Sequence, residues 1–292
     1  MAANEVARLY VTVDANTKPF DQGMLGVDKR ARATTGSLKK MTAALGAGFL
    51  GAKALGEIKT FDKNMRNVNS IAQLSERQFK SLSKSVLSLA GKTAQAPATL
   101  AQGLYDLESS GFKANESLLI LKSTAKAASA GLTDTATSTK AVAAVLNAYH
   151  LKASAAAQVS DDLFQTVNLG VLSFEDLAQN IGDVLPFATT LGVSLKDLGA
   201  ATSTLTKQGV PASETMTRIK GTMVALIKPT EDMQKVLKSL GVATGEELIQ
   251  KTGSLQGALQ ALNTKVGGSK QALAQLFPDV RGLGGAFGLT GK

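Results

Sequence analysis

Between Phe174 and Leu191 the apolar residues Phe174, Leu177, Ile181, Val184, Leu185, Ala188 and Leu191 recur at intervals of three, four and one. At 100° per residue they fall in one narrow sector, which predicts a helix with one buried face. Pro186 falls on the opposite side, where a missing hydrogen bond faces solvent, and predicts a bend around the core. The same pattern repeats along the chain. Leu195, Leu198, Ala201 and Leu205 form one stripe, and Met216, Ile219, Met223, Leu226 and Ile227 form another. Upstream, Ser75 and Gln78 make a capping box for a helix running toward Lys92. Pro97 opens a helix through Leu100, Leu104 and Leu107. Further stripes contain Leu118, Leu121, Ala125 and Ala128, then Val142, Val145 and Leu146. Downstream, Glu246–Gln250, Leu255–Val266 and Leu273–Phe277 read as shorter helices, the last stopped by Pro278. The glycine-rich tail from Arg281 reads as a linker.

One joint separates these units again and again: Gly111-Phe112, Gly131-Leu132, Gly170-Val171, Gly192-Val193, Gly209-Val210 and Gly241-Val242. Glycine just past a last helical turn takes the left-handed conformation without a Cβ penalty, and the apolar residue after it folds back onto that turn. Acidic residues soon follow four of the joints, at Glu116, Glu175 with Asp176, Asp197 and Glu214, where they favour the positive end of the next helix. The predicted fold is therefore all-α, a multi-helix bundle or solenoid-like array of short helices joined at glycine-apolar caps.

The N-terminal part differs. Arg8–Asp14 alternates, with Leu9, Val11 and Val13 on one side, and predicts a short strand before the turn signals Asp14, Asn16 and Pro19. No basic leader followed by an apolar core opens the chain. From Gly36 to about Ala72 the pattern is helical, and Met41–Ala52 is small or apolar almost throughout, too short for the ~20 residues that span a bilayer. Gly48, Ala52 and Gly56 make a small-residue face for close helix packing, or alternatively for membrane contact. The expected organisation is a strand and turn segment over 1–35, a small-residue-rich helix over 36–72, a helical core over 73–242, and shorter helices with a glycine-rich linker over 243–292.

Composition narrows the chemistry. Aromatics are 4% of the chain and tryptophan is absent, so the core is built from aliphatic residues, Met and Ala. Without cysteine there is no disulfide framework and no thiolate metal site. The net charge is +9, but the basic residues are dispersed, the densest group being Lys29, Arg30, Arg32, Lys39 and Lys40. No stacking aromatics accompany them, which argues against nucleic acid as the main partner. Gly46-x-Gly48-x-x-Gly51 matches a dinucleotide fingerprint by letter but lacks the strand before it and the acidic residue after it. Gly285–Lys292 matches a phosphate loop only loosely, with five residues in place of four before Gly291-Lys292. The single histidine, His150, ends a helix and is expected to satisfy terminal carbonyls. The pairs Asp161-Asp162, Glu175-Asp176 and Glu246-Glu247 sit in first helical turns, where the macrodipole explains them, and adjacent residues point about 100° apart. No catalytic, cofactor or metal site is predicted.

The succession of FDKNMRNVNSIA, LYDLESSGF, SAGLTDTATSTKAVAAVLNAY, the 160–242 stretch and ALAQLFPDVRGLGGAFGLTG resembles the core domain of phage tail tape measure proteins, from roughly Thr60 to Gly291. The resemblance implies a structural protein of a phage or prophage tail, housed in the tail lumen or tip. It also implies that such a protein templates polymerisation of the tail tube, sets tail length, and is expelled to assist DNA ejection through the host envelope. The implied partners are tail tube protein, tail-tip proteins and tail assembly chaperones, met in the host cytoplasm during assembly. Association as trimers or rings and contact with the host membrane during ejection are implied too. A ruler must be long, whereas this chain is interrupted by joints, so the region is expected to be a folded head with the measuring rod beyond Lys292. A stand-alone helical adaptor, or a membrane-active protein using residues 41–52, is the alternative.

Overall fold

The computed structural model describes residues 51–131 and 133–291. Among them the regular structure is helical, with fifteen α-helices and no strand. The strand expected over Arg8–Asp14, the basic group at 29–40, Gly48 and most of the Met41–Ala52 segment lie outside the described residues. Leu55–Lys292 forms one compact unit.

The helices are α1 (Gly51–Ala72), α2 (Glu76–Thr93), α3 (Pro97–Ser109), α4 (Ala114–Gly131), α5 (Thr135–Ala148), α6 (Ala156–Leu169), α7 (Phe174–Asn180) and α8 (Leu185–Thr190). They continue as α9 (Leu195–Lys207), α10 (Ala212–Ile227), α11 (Glu231–Ser239), α12 (Gly245–Thr252), α13 (Leu255–Lys265), α14 (Lys270–Leu276) and α15 (Val280–Thr290). Most pack on near neighbours in sequence: α3 and α4 on α5, α4 on α6, α6 on α9, α9 on α10, and α12 on α13. One element departs from that order, since α15 returns to lie against α9, α10 and α13.

The caps explain the starts. Ser75 and Gln78 form the expected capping box, and Ser173 and Asp176 form a second one. Pro97 occupies the first turn of α3. The core follows the stripes: Leu100, Leu104, Leu107, Leu121, Leu146, Leu163, Leu198 and Leu205 are all at most 1% exposed. Their burial supplies the main stabilisation, at roughly 1.5–3 kcal/mol for each large aliphatic side chain removed from water.

Two elements correct the sequence reading. Phe174, Leu177, Ile181, Val184, Leu185, Ala188 and Leu191 are all buried as expected. They belong, however, to two helices separated by a 3₁₀ turn at Ile181–Asp183, and not to one bent helix. Pro186 sits in the first turn of α8, where its missing N–H costs nothing. The tail from Arg281, read as a linker, is helix α15, with Gly282, Gly285, Ala286 and Leu289 buried.

Candidate functional site

Four of the six predicted joints have a left-handed glycine: Gly111, Gly192, Gly209 and Gly241, with φ between 69° and 95°. Each carries the double closure of a Schellman motif. At Gly192, its N–H donates to Thr189 O and the Val193 N–H donates to Ala188 O. Gly131 instead ends α4 as its last helical residue, and the closing bond runs from Thr133 N–H to Ala128 O. Gly170 is a second correction: its backbone is extended at φ −105°. A Cβ there would lie 2.9 Å from Thr206 Oγ1 and 3.0 Å from Thr166 O. Gly170 thus serves close approach, with the neighbouring Val171 N–H donating to Thr206 Oγ1 at 3.1 Å.

His150 occupies a joint that the sequence reading assigned only to glycine. It is left-handed at φ 52°, its N–H donates to Asn147 O, and the Leu151 N–H donates to Leu146 O. The backbone, at an exposed residue, does the closing. Histidine is among the residues enriched in this region, and the apolar Leu151 behind it is the signal that marks the motif. Opposite effects are expected at two joints in thermal melts: Gly192→Val costs ~1 kcal/mol or more, and His150→Gly adds ~1 kcal/mol. Unchanged melting temperatures would show that these closures contribute nothing.

A polar node ties distant units together. Asp197, in the first turn of α9, accepts the Leu255 N–H at the start of α13 at 2.6 Å, so one carboxylate serves two helix N-termini. Desolvation by burial raises its pKa, against the lowering effect of the Leu255 bond. Tyr149 donates its hydroxyl to Val193 O at 2.9 Å. Burial, and then the Asp197 charge, push its phenol up to about 12.

Because the folded-state pKa of Asp197 is raised, the folded state binds its proton more readily. The group therefore weighs against folding at pH values above that raised pKa. This burden fades as pH falls toward the ordinary aspartate value of 3.8. Asp197→Asn, which keeps an acceptor for Leu255, is expected to raise the melting temperature at pH 7 and to lose that advantage near pH 3. Asp197→Ala is expected to lower it at both pH values by leaving the Leu255 N–H unpaired.

The tightest contact lies between α10 and α15. A Cβ on Gly221 would fall 2.7 Å from Gly282 N, and one on Gly285 would fall 2.7 Å from Arg218 O. Thr222 Oγ1 donates to Gly282 O at 3.0 Å across sixty residues of chain. Within the Gly285–Lys292 motif Gly285 and Gly288 are thus close-packing residues, whereas Gly291 is the left-handed cap of α15, its N–H donating to Phe287 O. Beside this seam lies a groove of about 420 Å³, lined chiefly by α10, the 277–279 link and the first turn of α15, with the cations Lys220, Lys228 and Arg281. Lys220 Nζ stands 5.1 Å above the Phe187 ring. Val280, the first residue of α15, is 81% exposed.

Of the small-residue face, Ala52 and Gly56 fall within α1. Gly56 is exposed, with no atom within 4 Å of where a Cβ would stand. Asp162 and Glu175 accept hydrogen bonds from glutamines four residues away, and Asp176 belongs to a cap. The three carboxylate pairs are on different helices; Glu175-Asp176 and Glu246-Glu247 lie in first turns as expected, but Asp161-Asp162 lies in the second turn of α6, which begins at Ala156. Among the described residues no group of three or more His, Asp or Glu side chains is placed to hold a metal ion. No helix among them is long and apolar enough to cross a membrane.

These features define a helical packing domain, held by caps and glycine contacts, with grooves and apolar tips on its surface. A family model described as phage-related minor tail protein matches residues 83–278. The chain belongs to that family, and the resemblance to tape measure proteins holds. The tape measure protein of Pneumococcus phage Dp-1 is 29% identical over 214 residues, covering 72% of this chain and 18% of the relative. The probable tape measure protein of Clostridium phage phiCD119 is 26% identical over 258 residues, covering 85% of this chain and 27% of the relative. The chain thus matches only about a fifth to a quarter of the length of these relatives. No solved structure matches. The family places the chain among structural proteins of the phage tail.

Proposed function

We propose that this chain is a folded docking region of a tape measure protein, joined in function to a longer measuring part. The return of α15 onto α10, sealed backbone to backbone at Gly221 and Gly282, carries this reading. A ruler uses helix at ~1.5 Å per residue along one direction. A chain whose final helix folds back across sixty residues does not extend in that way. The small share of the relatives that it matches leaves the greater part of such a protein for measurement.

In this reading the domain holds one end of the tape measure against tail-tip and tube proteins, with assembly chaperones acting while the tail forms. Several copies gather as a trimer or ring at that end. Expulsion of the whole protein then accompanies DNA ejection, with contact to the host envelope. The domain's own work is binding and packing, through surfaces such as the exposed Val280 at the start of α15 and the groove beside α10. Cryo-electron microscopy of tails from a phage carrying this chain tests the reading. Compact helical density at one end of the tail lumen is the expected result. Continuous single-helix density for these residues along the lumen would overturn it.

A further inference from the structure

Glu108 is the one buried charged side chain among the described residues, at 6% exposure. It stands one residue before the end of α3, where the negative pole of the helix works against a carboxylate. The Ser117 hydroxyl of α4 hydrogen-bonds the side chain, but burial outweighs that help and raises its pKa. Its Oε1 has no hydrogen-bond partner. A lone buried acceptor of this kind costs free energy unless something completes it.

Glu108 helps to line a groove of about 640 Å³ formed by the α1–α2 link, α2, the end of α3 and the start of α4. Leu74, Leu82, Phe112 and Leu118 give it apolar walls, and Ile71, another lining residue, is 41% exposed. Gln78, Ser81 and Ser85 add uncharged polar groups. The only other charged lining residue is Lys113, with which Glu108 makes no ion pair. Apolar walls around one uncompensated acid match an alkyl stem that ends in a cation. The stem covers the walls, and the cation supplies the donors that the carboxylate lacks.

We propose that this groove is a socket for one basic side chain, arginine or lysine, presented by another protein. That the bearer is a tail component rests on the docking role proposed above, whereas the preference for a cation rests on the groove alone. A guanidinium suits the site better than an ammonium, because its planar donors reach a carboxylate in pairs and it is less strongly hydrated. Lys113, a like charge at the same groove, weakens the binding without abolishing it.

The test uses n-butylguanidinium as probe on the full chain, followed by the methyl NMR signals of Leu82 and Leu118. Saturable shifts are expected, with at least fivefold weaker binding in Glu108→Gln and about twofold tighter binding in Lys113→Met. n-Pentanol, with a similar stem and no charge, is expected not to saturate the site. Circular dichroism checks that the Gln variant is folded; if it is not, the pentanol and Lys113→Met comparisons decide. No saturable shift, or equal binding of butylguanidinium and pentanol, would overturn the socket. Either failure leaves the docking role standing, since the microscopy tests that role independently.

Discussion

Gly221→Val is expected to destabilise the domain by about 3 kcal/mol or more, a drop of ~6–12 °C in melting temperature for a unit of this size. The new side chain has no flexible neighbour to displace, since its Cβ would meet the Gly282 backbone at 2.7 Å and 3.1 Å. Relief requires α15 to move off α10, which would also break the bond from Thr222 to Gly282 O and open the neighbouring core at Leu289. Gly91→Ala is the control. Gly91 lies inside α2 with nothing within 4 Å of a Cβ, so alanine there should add ~0.5–1 kcal/mol from helix propensity. Equal responses of the two glycines in thermal melts would show that the α10–α15 seam is loose.

Leu177→Asp is expected to cost ~4 kcal/mol or more and to unfold the central unit at moderate temperature. Leu177 is 2% exposed, among Phe174, Ile181 and Val184 of the same stripe. The substitution removes a packed aliphatic side chain and leaves a carboxylate with no partner away from water. Ile181→Asp should behave alike. Circular dichroism and gel filtration decide the matter: a soluble variant with unchanged helicity and melting temperature would mean that this face is exposed and not core.

The features legible in the sequence were those whose physics is local. Period-3.6 stripes named the core residues of α7 to α10. The pairing of glycine with a following apolar residue located four left-handed closures, at Gly111, Gly192, Gly209 and Gly241. The serine at the head of α2 announced itself through Gln78 three residues on. Each of these signals acts within one or two helical turns, so a short window of sequence contains both partners.

What the sequence hid depends on partners far along the chain. Gly170 looks like the other joints, yet its lack of a side chain is used by Thr206, thirty-six residues away, where Val171 is anchored. The glycines of α15 read as flexible because glycine disfavours an isolated helix; here Gly282 and Gly285 are where two backbones meet, and Gly221 gives the counterpart. Asp197 showed its role toward its own helix but not toward Leu255, fifty-eight residues on. His150 is hidden for another reason: its αL closure lies in the backbone, whereas a histidine's sequence signal is its imidazole. Glu108 carried no mark at all, because burial of a single carboxylate is set by how α2, α3 and α4 meet.

Tail length in a phage that carries this chain tests the central claim most directly. Residues 83–278, the segment matched by the family, are deleted in frame and the tails measured by electron microscopy. The account predicts that tail formation fails or falls sharply, and that the tails which do form keep the parental length. Abundant tails shortened by about 290 Å, the span of the deleted residues as one helix at ~1.5 Å each, would make this region the ruler itself and contradict the account.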